Sequence, residues 1–252
     1  MVPWRNSRKP RQRSALAPAA FIDPCLPSRA VKAPSADGWI HEIKHDGFRL
    51  QIHVRCKRVK LYTMTGVDWS ERYPWIVEDV ARLKIAHAIL DAECCCDGDN
   101  GVTDFDRLMA RGHDASAYAY AFDLLAIDDR DVRSEPLEQR KAALAKLLRK
   151  AKPGIRLSEH LTGPGHTIFE HVCKLGWRAS ENGRFEVETG GRQLPTRDDA
   201  AASTDVEETD NKTDQMVVEL QQSLQRMRVR SQEMQAGFDA YRSTPWWQRI
   251  AG

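Results

Sequence analysis

A chain of 252 residues with 41% hydrophobic and 29% charged residues has room for one or two globular units with a real core. Its mean hydropathy of −0.57 and the lack of any run approaching the roughly 20 apolar residues of a spanning helix exclude a helical membrane protein. The formal net charge of +2 conceals an asymmetry, because residues 1–60 hold 13 Lys or Arg against 4 Asp or Glu, a basic end that suits either a polyanionic partner or a solubilising tail.

Residues 1–20 carry Arg5, Arg8, Lys9, Arg11 and Arg13 without the apolar core of a secretory signal, and read as a basic disordered arm. Residues 39–44 and 49–55 alternate in the manner of strands about a His45-Asp46-Gly47 turn and are expected to form a hairpin. A third strand is expected over 59–63, closed by a Thr65-Gly66 turn. Residues 74–83, led by Pro74, have the apolar spacing of a helix. A strand over 88–93, a short helix over 104–110 and an apolar strand over 117–125 follow. A helix over 136–150 has Leu137, Ala143, Leu144, Leu147 and Leu148 on one face, and residues 155–160 and 166–175 supply one more strand and helix. Strands and helices interleave without regular βαβ spacing, which predicts an α+β domain with largely antiparallel sheets over residues 21–176.

Beyond Gly176 the composition changes. Residues 177–213 read as a polar, acidic linker with at most a weak hairpin at 184–188 and 192–194. From 214 to 245 the spacing of Val217, Leu220, Leu224, Met227, Met234, Phe238 and Tyr241 predicts an amphipathic helix, with Ser231 in one heptad slot. Such a helix could dock on its own domain or self-associate through 217–241. The six cysteines, three of them adjacent at Cys94, Cys95 and Cys96, show no C-x-x-C spacing. They predict packing rather than a disulfide framework or a structural zinc site, which suits a reducing compartment, the cytoplasm or nucleoid.

Lys44-His45-Asp46-Gly47-Phe48-Arg49 is the sharpest local feature. A lysine ending one strand and an arginine opening the next place two cations at one mouth of a sheet. A lysine partly desolvated near other cations can act as a nucleophile. A plain hairpin turn also accounts for Asp46-Gly47.

Leu61-Tyr62-Thr63-Met64-Thr65-Gly66, then Leu90-Asp91-Ala92-Glu93, then Phe122-Asp123-Leu124-Leu125, then Pro136-Leu137 with Arg140, follow in that order. Together with the lysine segment they resemble the nucleotidyltransferase (adenylation) domain of ATP-dependent DNA ligases, especially the bacterial end-joining, LigD-like type, over about residues 20–176. The resemblance implies an ATP-grasp-like fold with antiparallel sheets, ATP and a divalent metal (Mg or Mn) as cofactors, and nicked or broken double-stranded DNA as partner. It implies that Lys44 attacks the α-phosphate of ATP to form a lysyl-AMP, which passes to a DNA 5′-phosphate before the nick is sealed in repair or recombination. Glu42, Ile43, Arg49, Glu93 and Phe122 would bind the nucleotide, Phe122 by stacking on adenine, Glu93 through the ribose or the metal, and Arg49 by contacting either the nucleotide or the nick phosphate. On the residues alone, a solvated strand end remains an alternative for Glu93 and core packing one for Phe122.

The departures from the family pattern are specific. Met64 stands where the family has arginine, and Ala92 where it has glycine. After His171-Val172-Cys173-Lys174-Leu175-Gly176 the chain continues Trp177-Arg178-Ala179-Ser180, without the glutamate and lysine of the family's E-G-x-x-x-K segment. The expectation is therefore an incomplete domain with impaired ligation, or a non-enzymatic remnant that binds nucleic acid or a protein.

Overall fold

A computed structural model describes residues 20–26, 28–30, 39–99, 102–174 and 185–187, with isolated positions between 218 and 240. The basic arm, nearly all of the 177–213 linker and the heptad positions of 217–241 lie outside the described residues.

The described chain is mixed. Its strands are β1 (Ser28–Ala30), β2 (Ile40–Glu42), β3 (Phe48–Arg55), β4 (Arg58–Thr63), β5 (His87–Cys95), β6 (Tyr118–Ile127), β7 (Arg130–Asp131), β8 (Ile155–Leu157), β9 (His160–Thr162) and β10 (Phe185–Val187). Its helices are α1 (Pro74–Ala81), α2 (Phe105–Met109), α3 (Leu137–Leu148) and α4 (Gly165–Lys174). A six-stranded sheet runs in the order β4-β3-β5-β6-β7, with β8 beside β6. Every pairing in it is antiparallel except β6 with β8, as the sequence predicts.

The alternation in β3 decides which face of this sheet is dry. Leu50, Ile52 and Val54 point one way and are buried, together with Val59 and Leu61 of β4 and Leu90, Ala92 and Cys94 of β5. Ile76 and Val80 of α1 and Leu144 and Leu148 of α3 close over them. Each Leu, Ile or Val so buried contributes about 1.5 to 3 kcal/mol relative to exposure. Cys94 and Cys96 belong to this core and Cys95 packs with Tyr118 and Tyr120, so the adjacent cysteines are packing residues. α1 begins at Pro74, whose missing N–H costs nothing in the first turn. The side chain of Asp104 caps α2 by accepting from the Arg107 N–H at 3.1 Å.

The structure departs from the expected elements in places. The 39–44 and 49–55 segments do not form a hairpin: β2 pairs with β9 and β3 with β4 and β5. Gly47 is not a left-handed turn glycine; a Cβ there would lie 2.0 Å from the Cys94 carbonyl oxygen. Its glycine serves close approach of the Lys44 loop to β5. Gly47→Ala is accordingly expected to lower stability by about 1 to 3 kcal/mol, read as a lower urea midpoint; an unchanged midpoint would contradict this contact. The single strand expected over 155–160 divides into β8 and β9, which join different sheets. Of the segments 184–188 and 192–194 read as at most a weak hairpin, residues 185–187 form β10, which pairs with β1, and 192–194 lie outside the described residues.

α3 buries Arg140 and Lys141 besides Leu144 and Leu148. Arg140 makes a two-pronged contact with Asp123, both prongs at 2.9 Å, and Lys141 is ion-paired with Glu42. The buried cations are tolerated because each meets a carboxylate.

Candidate active site

The opposite face of the sheet has a polar middle between two small apolar clusters, one of Ile89, Leu125 and Ala126 and one of Cys95, Tyr118 and Tyr120. Arg49, Gln51 and His53 of β3 alternate with the core residues, and register sets Arg49 opposite Glu93 and Gln51 opposite Asp91. On the other side of β5, Glu93 faces Tyr120 and Asp91 faces Asp123. Between Asp123 and Ala121 the register shifts, so Phe122 is the extra residue of a β-bulge. Bulges of this kind re-aim side chains beside functional sites. Phe122 is half-buried and lies outside the core clusters; the Arg49 guanidinium sits 5.4 Å from its ring centroid. Its reading as mere core is therefore set aside.

Arg49 is held by geometry rather than left to swing. Its Nε and one terminal nitrogen donate to the two Asp91 oxygens at 3.1 and 2.8 Å, and the other terminal nitrogen donates to the Cys25 carbonyl at 2.6 Å. The segment 20–26 thus crosses the polar face, where the Ile22 N–H donates to Gln51 Oε1 and Gln51 Nε2 donates back to the Ile22 carbonyl, both at 2.9 Å.

Glu93 is half-buried in the middle of the sheet, which corrects the alternative of a solvated strand end. Burial pushes its carboxyl up to about 8, against the pull of Lys44 and Arg49, with Asp91 and Asp46 adding to the rise.

Lys44 is exposed. The expectation that it is partly desolvated is not met; its reach toward the polar face registers instead as an electrostatic influence on Glu93. The preceding Ile43 is buried and Glu42 is ion-paired with Lys141, so both flank the lysine as anchors. On the other side, the His45 ring stacks on Tyr120 with centroids 3.7 Å apart and planes 11° from parallel. Burial, and then the Arg156 charge, lower the His45 pKa to about 3, so the ring is neutral. The Asp46 N–H donates to Thr103 Oγ1 at 3.1 Å. The Lys44 loop is therefore fixed at both ends over the β5–β6 part of the sheet.

Beneath it lies a buried cluster that the sequence does not disclose. Arg156 of β8 has its guanidinium carbon 3.4 Å from the Tyr118 ring centroid and a nitrogen 3.4 Å from Asp97 Oδ2, while the Tyr118 hydroxyl donates to Asp97. Asp91 is the other residue whose part was not foreseen. The period-2 spacing of Asp91 and Glu93, matched to Arg49 and Gln51, is the signal that points to it.

Nucleotide phosphates and one carboxylate are a usual ligand set for Mg²⁺, and Glu93 with a nucleotide fits it. Among the described residues no group of three or more His, Cys, Asp or Glu side chains is arranged to hold a metal ion by itself.

A family model described as the ATP dependent DNA ligase domain matches residues 24–175. The multifunctional non-homologous end joining protein LigD of Pseudomonas aeruginosa is 30% identical over 176 residues, 68% of this chain and 21% of that protein. The LigD protein of Mycobacterium bovis is 30% identical over 147 residues, 58% of this chain and 19% of that protein. This chain thus spans about a fifth of the length of these curated relatives. Among solved structures, a mycobacterial DNA ligase D complexed with ATP and MES is similar at a TM-score of 0.54 and 28% identity, over 60% of this chain and 50% of that one. The ligase domain of M. tuberculosis LigD is similar at 0.52 and 29%, over 58% and 49%. The matched stretch coincides with the polar-faced sheet and its Lys44 loop, and on a match over more than half of its length the chain belongs to the ATP-dependent DNA ligase domain family.

Proposed function

We propose that this chain performs the adenylation step of an ATP-dependent DNA ligase of the end-joining type, on an ATP-grasp-like nucleotidyltransferase fold. The Lys44 amine attacks the α-phosphate of ATP, a P–N bond forms, pyrophosphate leaves, and the nitrogen loses its proton to solvent. The AMP then passes to a DNA 5′-phosphate and is released when a 3′-hydroxyl attacks. The observation that carries this reading is an exposed Lys44 on a loop fixed at His45 and Gly47, above a sheet face that presents Arg49, Glu93 and Phe122.

Phosphoryl transfer depends on positioning and on neutralising charge at the reacting phosphate. Lys44 and Arg49 supply cations, Phe122 offers a flat face for a purine, and Glu93 would hold a divalent cation or the ribose. Such a cation would neutralise phosphate charge. Broken or nicked double-stranded DNA is the proposed partner, with self-association through 217–241 as a further element read from its heptad spacing. The test is incubation with α-labelled ATP followed by a denaturing gel: covalent AMP on the chain supports the reading.

A second reading rests on one observation. The chain passes from Leu175-Gly176 directly to Trp177-Arg178-Ala179-Ser180, where the family has a glutamate and a lysine. If those charges are indispensable, the domain binds nucleic acid or a protein without chemistry, and the gel shows no label.

Met64 bears on the same question. It follows β4 directly and is 50% exposed, so replacing it disturbs little packing, within about 0.5 kcal/mol. Met64→Arg restores the family's cation and is expected to tighten ATP binding tenfold or more, about 1.5 to 3 kcal/mol for a hydrogen bond to a charged group, by titration calorimetry. An unchanged isotherm would place this position away from the nucleotide.

A further inference from the structure

The end of the sheet remote from Glu93 carries a constellation that ligation does not use. β3 and β4 are joined by a two-residue turn, Cys56-Lys57, with φ of 47° and 67°; β6 and β7 are joined by another, Asp128-Asp129, with φ of 47° and 61°. Both are left-handed turns in which glycine or asparagine is the ordinary choice. His87 opens β5 between them. Its Nε2 lies 3.3 Å from Cys56 Sγ and its Nδ1 lies 2.7 Å from Asp129 Oδ1. The arrangement is pinned from the backbone, since the Cys56 N–H donates to the Ala86 carbonyl at 2.7 Å and the Asp128 N–H donates to the His87 carbonyl at 3.0 Å. Glu93 is six residues further along β5, roughly 20 Å away at about 3.3 Å per residue.

The chemistry follows from the hydrogen bonds. Asp129 accepts from Nδ1–H, which fixes the tautomer and leaves the Nε2 lone pair facing the thiol. A thiol, a base in reach and a carboxylate orienting the base is the general pattern of an activated nucleophile. Cys56 is exposed and stands among the exposed cations Arg55, Lys57 and Arg58, an electropositive setting that favours reaction through sulfur and favours an anionic co-reactant.

We propose that Cys56 is a thiol-modification site, activated by His87 with Asp129 as its positioning residue, whose co-reactant is a small anionic disulfide. As Cys56 sulfur attacks one sulfur of the disulfide, His87 Nε2 takes the thiol proton. The S–S bond of the co-reactant breaks, a mixed disulfide forms on Cys56, and the departing thiolate collects the proton from His87. Atoms and electrons balance without a further oxidant. The site is independent of the ligase reading and stands or falls without it.

The test uses the full chain with oxidised glutathione at pH 7 and peptide mass mapping, with the exposed Cys25 as internal reference. Cys56 is expected to be modified at least about tenfold faster than Cys25, a factor worth about 1.4 kcal/mol in barrier. His87→Gln should bring the two rates together. Asp129→Asn, which keeps a side chain tolerant of the left-handed turn, should lower the ratio most near pH 7 and least near pH 10, where hydroxide removes thiol protons unaided. Lys57→Glu should slow the reaction with oxidised glutathione but not with cystamine, a cationic disulfide. Equal rates at Cys56 and Cys25 in the unaltered chain, or a Cys56 rate indifferent to both His87→Gln and Asp129→Asn, overturns the proposal. Because Cys25 is read in the same sample, a variant that merely loosens the fold is recognised by acceleration at the buried Cys94 to Cys96.

Discussion

Lys44→Ala is expected to remove covalent AMP from the chain entirely, a loss of three orders of magnitude or more, because no other group stands in for an absent nucleophile. The side chain is exposed, so stability should change by no more than about 0.5 kcal/mol, and a melt by circular dichroism separates lost chemistry from lost fold. Label on the unaltered chain should be acid-labile, as a phosphoramidate is. Lys44→Arg sharpens the result: it keeps a cation beside Glu93 but offers no comparable nucleophile, so ATP binding should survive while label disappears. Label that persists in Lys44→Ala would move the nucleophile elsewhere. An unaltered chain that takes up no label, yet binds ATP, would favour the remnant reading and locate the defect in the missing charges after Gly176.

The strands that carry the site were legible because their alternation is long and unbroken. In β3, Leu50, Ile52 and Val54 against Arg49, Gln51 and His53 state which face is dry. The short β2 was not legible in the same way. Three residues cannot name a partner, and the strand it meets, β9, lies far along the chain. The Asp-Gly signal then suggested a hairpin, whereas Gly47 is required by the Cys94 carbonyl it passes. Pairing across long separations and steric clearance are tertiary facts that local patterns do not encode.

Site residues divide along the same line. Arg49 and Glu93 could be brought together from period 2 and strand order, and Lys44 from its place in the motif. The stack of His45 on Tyr120 could not, since it depends on the loop crossing β6. Nor could the burial of Arg156, which composition assigns to solvent yet which has no exposed side-chain surface. It is held there by a tyrosine face and a carboxylate, and lies under the loop that presents Lys44. Function here is built partly from residues that act by support, and these carry the weakest sequence signals.

Glu93 should make the protein's stability fall as pH rises, the reverse of the ordinary ion-paired carboxylate. Its carboxyl is raised from 4.5 in a free chain to about 8 in the fold, chiefly by burial. Below the lower value it is protonated in both states and costs nothing. Between the two, the unfolded chain releases the proton while the folded chain keeps it, so stability declines by at most about 1.4 kcal/mol per pH unit. Above the higher value the loss is complete and constant. Glu93→Gln is neutral throughout, so in urea titrations it should match the unaltered chain near pH 4 and exceed it by about 2 to 4 kcal/mol near pH 8, allowing for partial exposure. Lys44→Ala should widen the gap, because Lys44 opposes the rise. Parallel pH profiles for Glu93→Gln and the unaltered chain would mean that Glu93 is solvated in the folded protein and holds no such proton. If the divergence appears, the folded chain maintains at neutral pH a carboxyl whose charge is disfavoured until a cation arrives, beside the lysine and arginine that a triphosphate would engage. A stability cost kept at that one position is intelligible as readiness for a cation-bearing ligand, and not as packing.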